Sequence, residues 1–288
     1  MKQKIKKYIE LTKPKVTLLN LLVGITCFML AAFPAIEWLK LAAFLAVGYL
    51  AAGGCGVLNS VYDRDIDKMM LRTSKRAIPA GYIALNEALF LGAAMVTCSL
   101  IVSYLVFNLL TVLMVAFGLI FYLLIYTIWL KRNSSWNVVI GGFAGCFAGL
   151  SGWTAAVNAL SLMPLLVAMV DFVWTPGHLW GLAIKKMREY RIAGIPMLPV
   201  KIGLIKASKV VFLMNLLTVV SSFMLPVFHM TGSIYIFTAV SLGFMFLLQS
   251  RGLLLSTSEA QGFKVFLFSM VYLLFLMLGL IVDKIWFI

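Results

Sequence analysis

Long apolar runs separated by short clusters of charge set the pattern of this chain. A helix crossing the hydrocarbon core of a bilayer needs about 20 mostly apolar residues. Residues 16–36 form one such run, with Pro34 near its end, and residues 41–58 form a second that leads into Asn59. Residues 88–130 carry no charge and have room for two helices turning near Asn108. Residues 133–184 carry a single charge, Asp171, and fit two helices broken between Asn158 and Pro164. Residues 210–250 fit two more, with a break at His229–Ser233, and residues 265–282 supply the last. The pattern predicts nine membrane-spanning helices in one domain over 1–288, an all-α polytopic membrane protein.

Composition closes off the alternatives. Hydrophobic residues make up 63% of the chain and charged residues 12%, against about 25% charged in a soluble domain. One soluble core cannot hide that much apolar surface, and a disordered chain would not carry it. The net charge of +14 would suggest nucleic acid in a soluble protein. Here its distribution points to topology instead, because Lys and Arg gather on the cytoplasmic side of membrane proteins. With nine spans and a cytoplasmic N-terminus, 22 of the 24 basic residues fall inside, leaving Lys40 and Lys284 outside. The C-terminus is then outside, and no nucleic-acid partner is expected.

Residues 1–15 are basic and lack a small-residue cleavage site, so they read as a cytoplasmic juxtamembrane segment or a surface helix on anionic lipid. Without a transit-peptide pattern, a prokaryotic plasma membrane is the expected location. Cys27, Cys55, Cys98 and Cys146 all lie in apolar runs with no CxxC, which reads as packing rather than as a disulfide or zinc framework. Gly141, Gly145 and Gly149 recur every four residues, the signature of close helix packing in lipid.

The chemistry concentrates in two cytoplasmic loops, residues 59–87 and 185–209. In the first, Asp63, Asp65 and Asp67 lie within five positions. If the second span continues as a helix, Asn59, Asp63 and Asp67 form one polar stripe and Asp65 faces elsewhere. Two carboxylates on one face repel unless a cation lies between them. Oxygen ligands without His or Cys favour Mg²⁺, which is commonly held by one or two carboxylates plus substrate phosphates. Arg72 and Arg76, spaced to share a helical face, suit bidentate phosphate contacts. Together these residues read as a metal–diphosphate site; a solvated loop of balanced charge fits the spacing equally well.

Three blocks of residues then agree with one family. Asn59-x3-Asp63-x3-Asp67 resembles the first aspartate motif of the UbiA superfamily of intramembrane prenyltransferases. Tyr62-Asp63-Arg64-Asp65-Ile66-Asp67 with Arg72-Thr73-x2-Arg76 is similar to its protoheme IX farnesyltransferase (haem O synthase) branch. So are Tyr126-Thr127-x3-Lys131-Arg132, Trp174-Thr175-Pro176-Gly177-His178, and Glu189-Tyr190-Arg191 leading to Gly194–Val200. The agreement runs in order from about residue 12 to residue 203. The chain departs from the pattern at Ala77-Ile78, at Gly177 and Leu179, and at Asp171, where an apolar residue is usual.

The resemblance implies a UbiA-like bundle that takes farnesyl or another polyprenyl diphosphate with Mg²⁺ and transfers the prenyl group to a vinyl carbon of haem b. Haem b is then a substrate, not a prosthetic group. Haem A synthase or a terminal oxidase assembly would stand downstream. Asp63 and Asp67, with Asn59, would hold Mg²⁺. Arg72 and Arg76 would contact diphosphate or a haem propionate, and Lys131 and Arg132 would clamp the diphosphate from the facing loop. Tyr126 is a possible pocket residue. Glu189, the single carboxylate in residues 185–191 among four basic residues, departs from the second aspartate motif of quinone-type members.

His178 lies about 9 Å inside the cytoplasmic end of its span. At that depth an ionisable residue points to function, as a haem-iron ligand, a proton carrier or a hydrogen-bonding strut. Asp171, seven residues earlier, shares its face about 10 Å deeper, with Trp174 between them. That stripe is expected to face the bundle cavity. Two other readings compete: a UbiA-type enzyme acting on a quinone precursor, another aromatic or a glycerol-phosphate lipid, and a transporter relaying protons through Asp171 and His178.

Overall fold

A computed structural model describes residues 2–286; Met1, Phe287 and Ile288, part of the domain expected over 1–288, lie outside the described residues. Within them, nine helices are long and apolar enough to cross a bilayer, as the sequence pattern predicts. They are α2 (Pro14–Ala32), α3 (Trp38–Tyr62), α5 (Leu85–Val106), α6 (Leu109–Asn133), α7 (Asn137–Ala156), α8 (Leu162–Lys185), α11 (Leu204–Val227), α12 (Ser233–Ser256) and α13 (Glu259–Trp286). Four short helices complete the chain: α1 (Lys2–Leu11) before the first span, α4 (Arg64–Met69) after α3, and α9 (Met187–Ile192) and α10 (Leu198–Ile202) after α8.

The breaks have local causes. Asn108 divides the uncharged run into two helices because its side chain caps α6, accepting from the Thr111 amide at 2.8 Å. The same side chain donates to the Thr154 carbonyl at 2.7 Å, tying that turn to the end of α7. Asp283, buried near the end of α13, accepts from the amides of Gly232 and Tyr235 and so satisfies the start of α12. Over Phe121–Leu130, α6 winds as a wider π-helix, a departure often found beside functional sites.

Consecutive spans pack on one another, and α13 returns to pack on α2 and α8, closing a ring. Small residues allow the closest approaches. A Cβ on Gly152 would collide with the backbone of Gly24, so α2 and α7 meet backbone to backbone at that point. Gly54 and Gly92 do the same for α3 and α5. The stripe of Gly141, Gly145 and Gly149 meets Tyr126, Asp171 and Cys27 respectively. Outward-facing Leu39, Phe90, Leu105, Phe237 and Leu255 form an apolar coat suited to lipid. Three cysteines are buried in packing; Cys98 faces outward with that coat.

Candidate active site

Helix α3 delivers Asn59 and Asp63 at its end, and the chain re-enters a single helical segment, α4, that carries Asp67. The Asp67 amide donates to the Asp63 carbonyl at 2.8 Å, so the stripe survives the break. All three side chains are buried, whereas Asp65 points outward. The expected separation of Asp65 from the other two therefore holds.

Each buried acid of the stripe meets a cation, one from the far end of α6 and one from the turns that follow α4. Lys131, at the end of α6, pairs with Asp63 Oδ2. Asn59 Nδ2 donates to that same oxygen at 2.8 Å and to Thr127 Oγ1 at 3.1 Å. Arg76 Nη1 reaches both oxygens of Asp67, at 3.1 and 2.9 Å. Lys13 Nζ donates to Asn59 Oδ1 at 2.5 Å. Asp63 Oδ1 is left buried with no hydrogen-bond partner, an acceptor that low-dielectric surroundings penalise unless a ligand completes it.

Lys13 is the residue that sequence reasoning missed; it was counted only among the basic juxtamembrane charges. It occupies the linker between α1 and α2 with φ of 49°, a left-handed conformation that costs energy in a residue with a Cβ. Burial, with Arg76 and Lys131 close by, lowers its pKa to about 7 despite the opposing pull of Asp63 and Asp67. Pro14 directly after it, at a helix start, was the available signal.

Arg72 and Arg76 do not share a helical face. The chain after α4 folds into successive turns, because Thr73 Oγ1 donates back to the Asp67 carbonyl and the Thr73 and Ser74 amides both bond Met70. Arg76 is thereby brought to Asp67, while the Arg72 backbone amide meets Glu189 Oε2 at 3.4 Å. Glu189 also accepts from Lys186 at 2.7 Å. Burial raises the Glu189 pKa, but the Lys186 and Arg72 contacts outweigh it and hold it below the usual range. Glu189 thus joins the segments 59–87 and 185–209 instead of extending the acidic cluster. Arg132 turns away too: it grips Asp65 at 2.7 and 2.8 Å and lies over the Tyr62 ring.

Beneath this array lies a cavity of about 310 Å³. Its walls are mainly apolar, and its polar lining includes Lys13, Asn20, Tyr126, Asp171 and His178. Asp171, Trp174 and His178 line it, as the helical spacing predicts, and so does Tyr126, which the resemblance placed in the pocket. Asp171 is 4% exposed and lies against Gly145, where a Cβ would meet its carboxylate.

The donor set suits a hard divalent cation only in company. Among the described residues no three His, Cys, Asp or Glu side chains cluster as a self-sufficient metal cage. Asn59, Asp63 and Asp67 offer oxygen donors, with Asp63 Oδ1 unclaimed. That fits Mg²⁺, whose remaining ligands are commonly substrate phosphates and water.

Comparison with known proteins agrees with this geometry. The family model of the UbiA prenyltransferases matches residues 18–278. The chain is similar to the protoheme IX farnesyltransferase of Trichormus variabilis, 37% identical over 98% of this chain and 89% of the relative. That of Legionella pneumophila (strain Lens) is 39% identical over 96% of this chain and 94% of its own length. Among solved structures, a digeranylgeranylglyceryl phosphate synthase superposes with a TM-score of 0.79 at 21% identity, covering 98% and 99% of the two chains. A UbiA homologue from Archaeoglobus fulgidus bound to GPP and Mg²⁺ gives 0.71 at 17%, covering 96% and 99%.

Proposed function

The chain belongs to the UbiA prenyltransferase family, and from that premise we propose that it transfers a farnesyl group from its diphosphate to a vinyl group of haem b, forming haem O. The observation that carries the chemistry is the buried array at the cavity mouth. Two carboxylates, Asp63 and Asp67, are paired with two cations, Arg76 and Lys131, and Lys13, with its pKa near 7, stands beside them as a third basic group that gains its proton when an anion approaches. That surplus of basic groups favours an anion, and the open Asp63 Oδ1 favours a divalent ion that arrives with it.

Asn59, Asp63 and Asp67 are the residues that would hold Mg²⁺. Bound there, Mg²⁺ supplies neutralisation of the charge that develops on the departing diphosphate. Lys131 and Arg76 move from the carboxylates, and Lys13 from the Asn59 amide oxygen, to the phosphate oxygens, and this exchange of partners keeps the buried charges matched. Arg72, at the mouth, is placed to extend that contact to the diphosphate or a propionate. Arg132 acts indirectly, fixing the end of α6 through Asp65 so that Lys131 stays aimed inward.

The cavity below performs the other half. Its apolar wall takes the prenyl chain and keeps bulk water from the allylic cation. The vinyl carbon of haem b attacks C1 of the prenyl group, the C–O bond to diphosphate breaks, and the positive charge passes to the haem side chain. One water adds there, losing a proton and leaving a hydroxyalkyl product. Residues 59–87 and 185–209 are proposed as the loops that close the site. The charge distribution supports a site facing the cytoplasm; the proposal places the enzyme in a prokaryotic plasma membrane, supplying its product to haem A synthase or a terminal oxidase.

The test uses purified protein in detergent with haem b, farnesyl diphosphate and Mg²⁺, read by mass spectrometry. A Mg²⁺-dependent hydroxyfarnesyl adduct of haem is the expected result. Diphosphate release with a phenolic or lipid acceptor, and none with haem, would move the enzyme to another branch of the family. Absence of any Mg²⁺-dependent chemistry in folded protein would remove the proposal.

A further inference from the structure

His178 is held more tightly than packing requires. Its ring stacks on Trp174 at 4.1 Å between centroids and 19° between planes, and on Phe266 at 4.5 Å and 32°. Its Nδ1 lies 2.7 Å from Ser269 Oγ. Ser269 is fully buried on α13 and sits behind the ring, outside the cavity lining. The Trp174 indole donates to the Ser269 carbonyl at 2.9 Å, locking the same turn of α13 to α8.

The heavy-atom distances allow a consistent assignment of the hydrogens. A serine hydroxyl has one hydrogen. Ser269 Oγ is 2.7 Å from the Phe266 carbonyl, which can only accept, and we assign the hydroxyl hydrogen to that contact. Towards His178, Ser269 Oγ can then only accept. The neutral imidazole therefore carries its hydrogen on Nδ1 and its lone pair on Nε2. Nε2 has no hydrogen-bond partner among the described residues, yet it is not one of the sealed, unpartnered atoms, and His178 lines the cavity. A His serving only as a strut between helices would use both nitrogens or turn the free one into packing. Here one nitrogen is committed to Ser269, and the other is unclaimed on a residue that lines the cavity.

That is the arrangement of a metal-binding imidazole, in which a hydrogen bond on one nitrogen fixes tautomer and ring orientation for the other. Resting on the reading of haem b as acceptor, we propose that His178 Nε2 is an axial ligand to the iron of the incoming haem, and that Ser269 is the positioning residue that holds it in that tautomer. Trp174 and Phe266 fix the ring plane and thereby the tilt of the porphyrin. The iron contact registers the macrocycle so that one vinyl edge, not another, meets the prenyl carbon.

The experiment titrates full-length protein in detergent with ferric haem b, and in parallel with metal-free protoporphyrin IX. Absorption and electron paramagnetic resonance spectra are recorded alongside the adduct assay. Wild type should show nitrogen-ligated haem and prefer it over the metal-free porphyrin. His178→Ala should lose that signature and raise KM for haem, with KM for farnesyl diphosphate unchanged. Ser269→Ala should weaken haem binding by about 10–100-fold, and Ser269→Thr, which keeps the hydroxyl, should restore it. His178→Gly with added imidazole should regain both spectrum and adduct, which separates lost ligation from lost folding. An unchanged iron spectrum in His178→Ala, or equal affinity for the metal-free porphyrin, overturns the proposal while leaving haem prenylation intact. If wild type forms no haem adduct at all, the functional reading and this proposal fall together.

Discussion

Asp63 and Asp65 differ by two positions and by their entire environment. Asp63 is buried against Asn59 and Lys131 with one oxygen open, whereas Asp65 is exposed and clasped by Arg132. Asp63→Asn keeps the shape and the Asn59 contact but removes the charge needed for a divalent ion. It should lower kcat by about 10²–10³-fold, in line with losing a group that stabilises the departing charge, with unchanged thermal unfolding as the control for folding. Asp65→Asn should cost at least roughly tenfold less activity, since it acts only through Arg132. Equal losses would remove the metal assignment. Asp65 also makes a pH prediction. The hydrogen bond from Arg132 lowers its pKa to about 2, from about 4 in an unfolded chain. The pair is therefore fully stabilising above about pH 4 and is lost as pH falls towards 2. The difference in melting temperature between wild type and Asp65→Asn should hold from pH 7 to 5 and close below that; a difference that widens in acid would contradict the pairing. At this scale the sequence was legible where function runs along one helix. Asn59, Asp63 and Asp67 share a stripe by spacing, as do Asp171, Trp174 and His178. Lys13 and Ser269 were not, because each meets its partner across 46 and 91 positions and neither has a local pattern that marks it.

Between elements, glycine contacts and a few polar ties decide the geometry that the site inherits. Helix α7 approaches α2 so closely that a side chain at Gly152 has nowhere to go. Gly152→Val should destabilise the protein by about 1–3 kcal/mol or more, the usual cost of overpacking a rigid contact, read as a lowered unfolding midpoint in detergent. A neutral effect would mean that α2 and α7 do not touch as described. Helix α1 is attached differently. Lys4 donates to Glu87 Oε1 at 3.0 Å and Tyr8 to Oε2 at 2.6 Å, at the start of α5. Because the pair is exposed, salt should weaken it. Glu87→Gln should release α1, seen as faster proteolysis between α1 and α2, an effect that high salt reproduces in wild type; equal cleavage rates would detach α1 from any role in setting Lys13. The existence of α1 follows from its basic amphipathic run, but its attachment point does not, since Glu87 reads locally as the first-turn acid of α5. The helical face expected for Arg72 and Arg76 failed for a comparable reason: Thr73 satisfies the end of α4 and turns the chain before another helix can start.

The whole bundle was the most legible level, because bilayer thickness fixes how many apolar residues a span needs. Six apolar runs in the sequence, three of them long enough for two spans, correspond to nine helices among the described residues, and the breaks fall where polar or proline residues interrupt them. Orientation rests on a different force. Basic residues resist transfer across an energised membrane, so their asymmetry sets which face stays inside. With the loops holding Arg72, Arg76, Lys131 and Lys186 on one face, 22 of 24 basic residues share it. Reversing the bundle would expel all of them and retain only Lys40 and Lys284. The active array, the Glu189 bridge between loops and the mouth of the cavity all belong to that same face. This gives a decisive measurement in intact cells, starting from a variant with the outward-facing Cys98 replaced by serine. Single cysteines at positions 36 and 284 should react with a membrane-impermeant maleimide applied from outside. Cysteines at positions 75 and 206 should react only after the membrane is opened. The reverse labelling would place the diphosphate site on the outer face, where a cytoplasmic pool of prenyl diphosphate could not reach it, and would defeat the assignment of substrate supply along with the topology. Labelling of 36 and 75 from the same side would instead break the parity that the nine spans require.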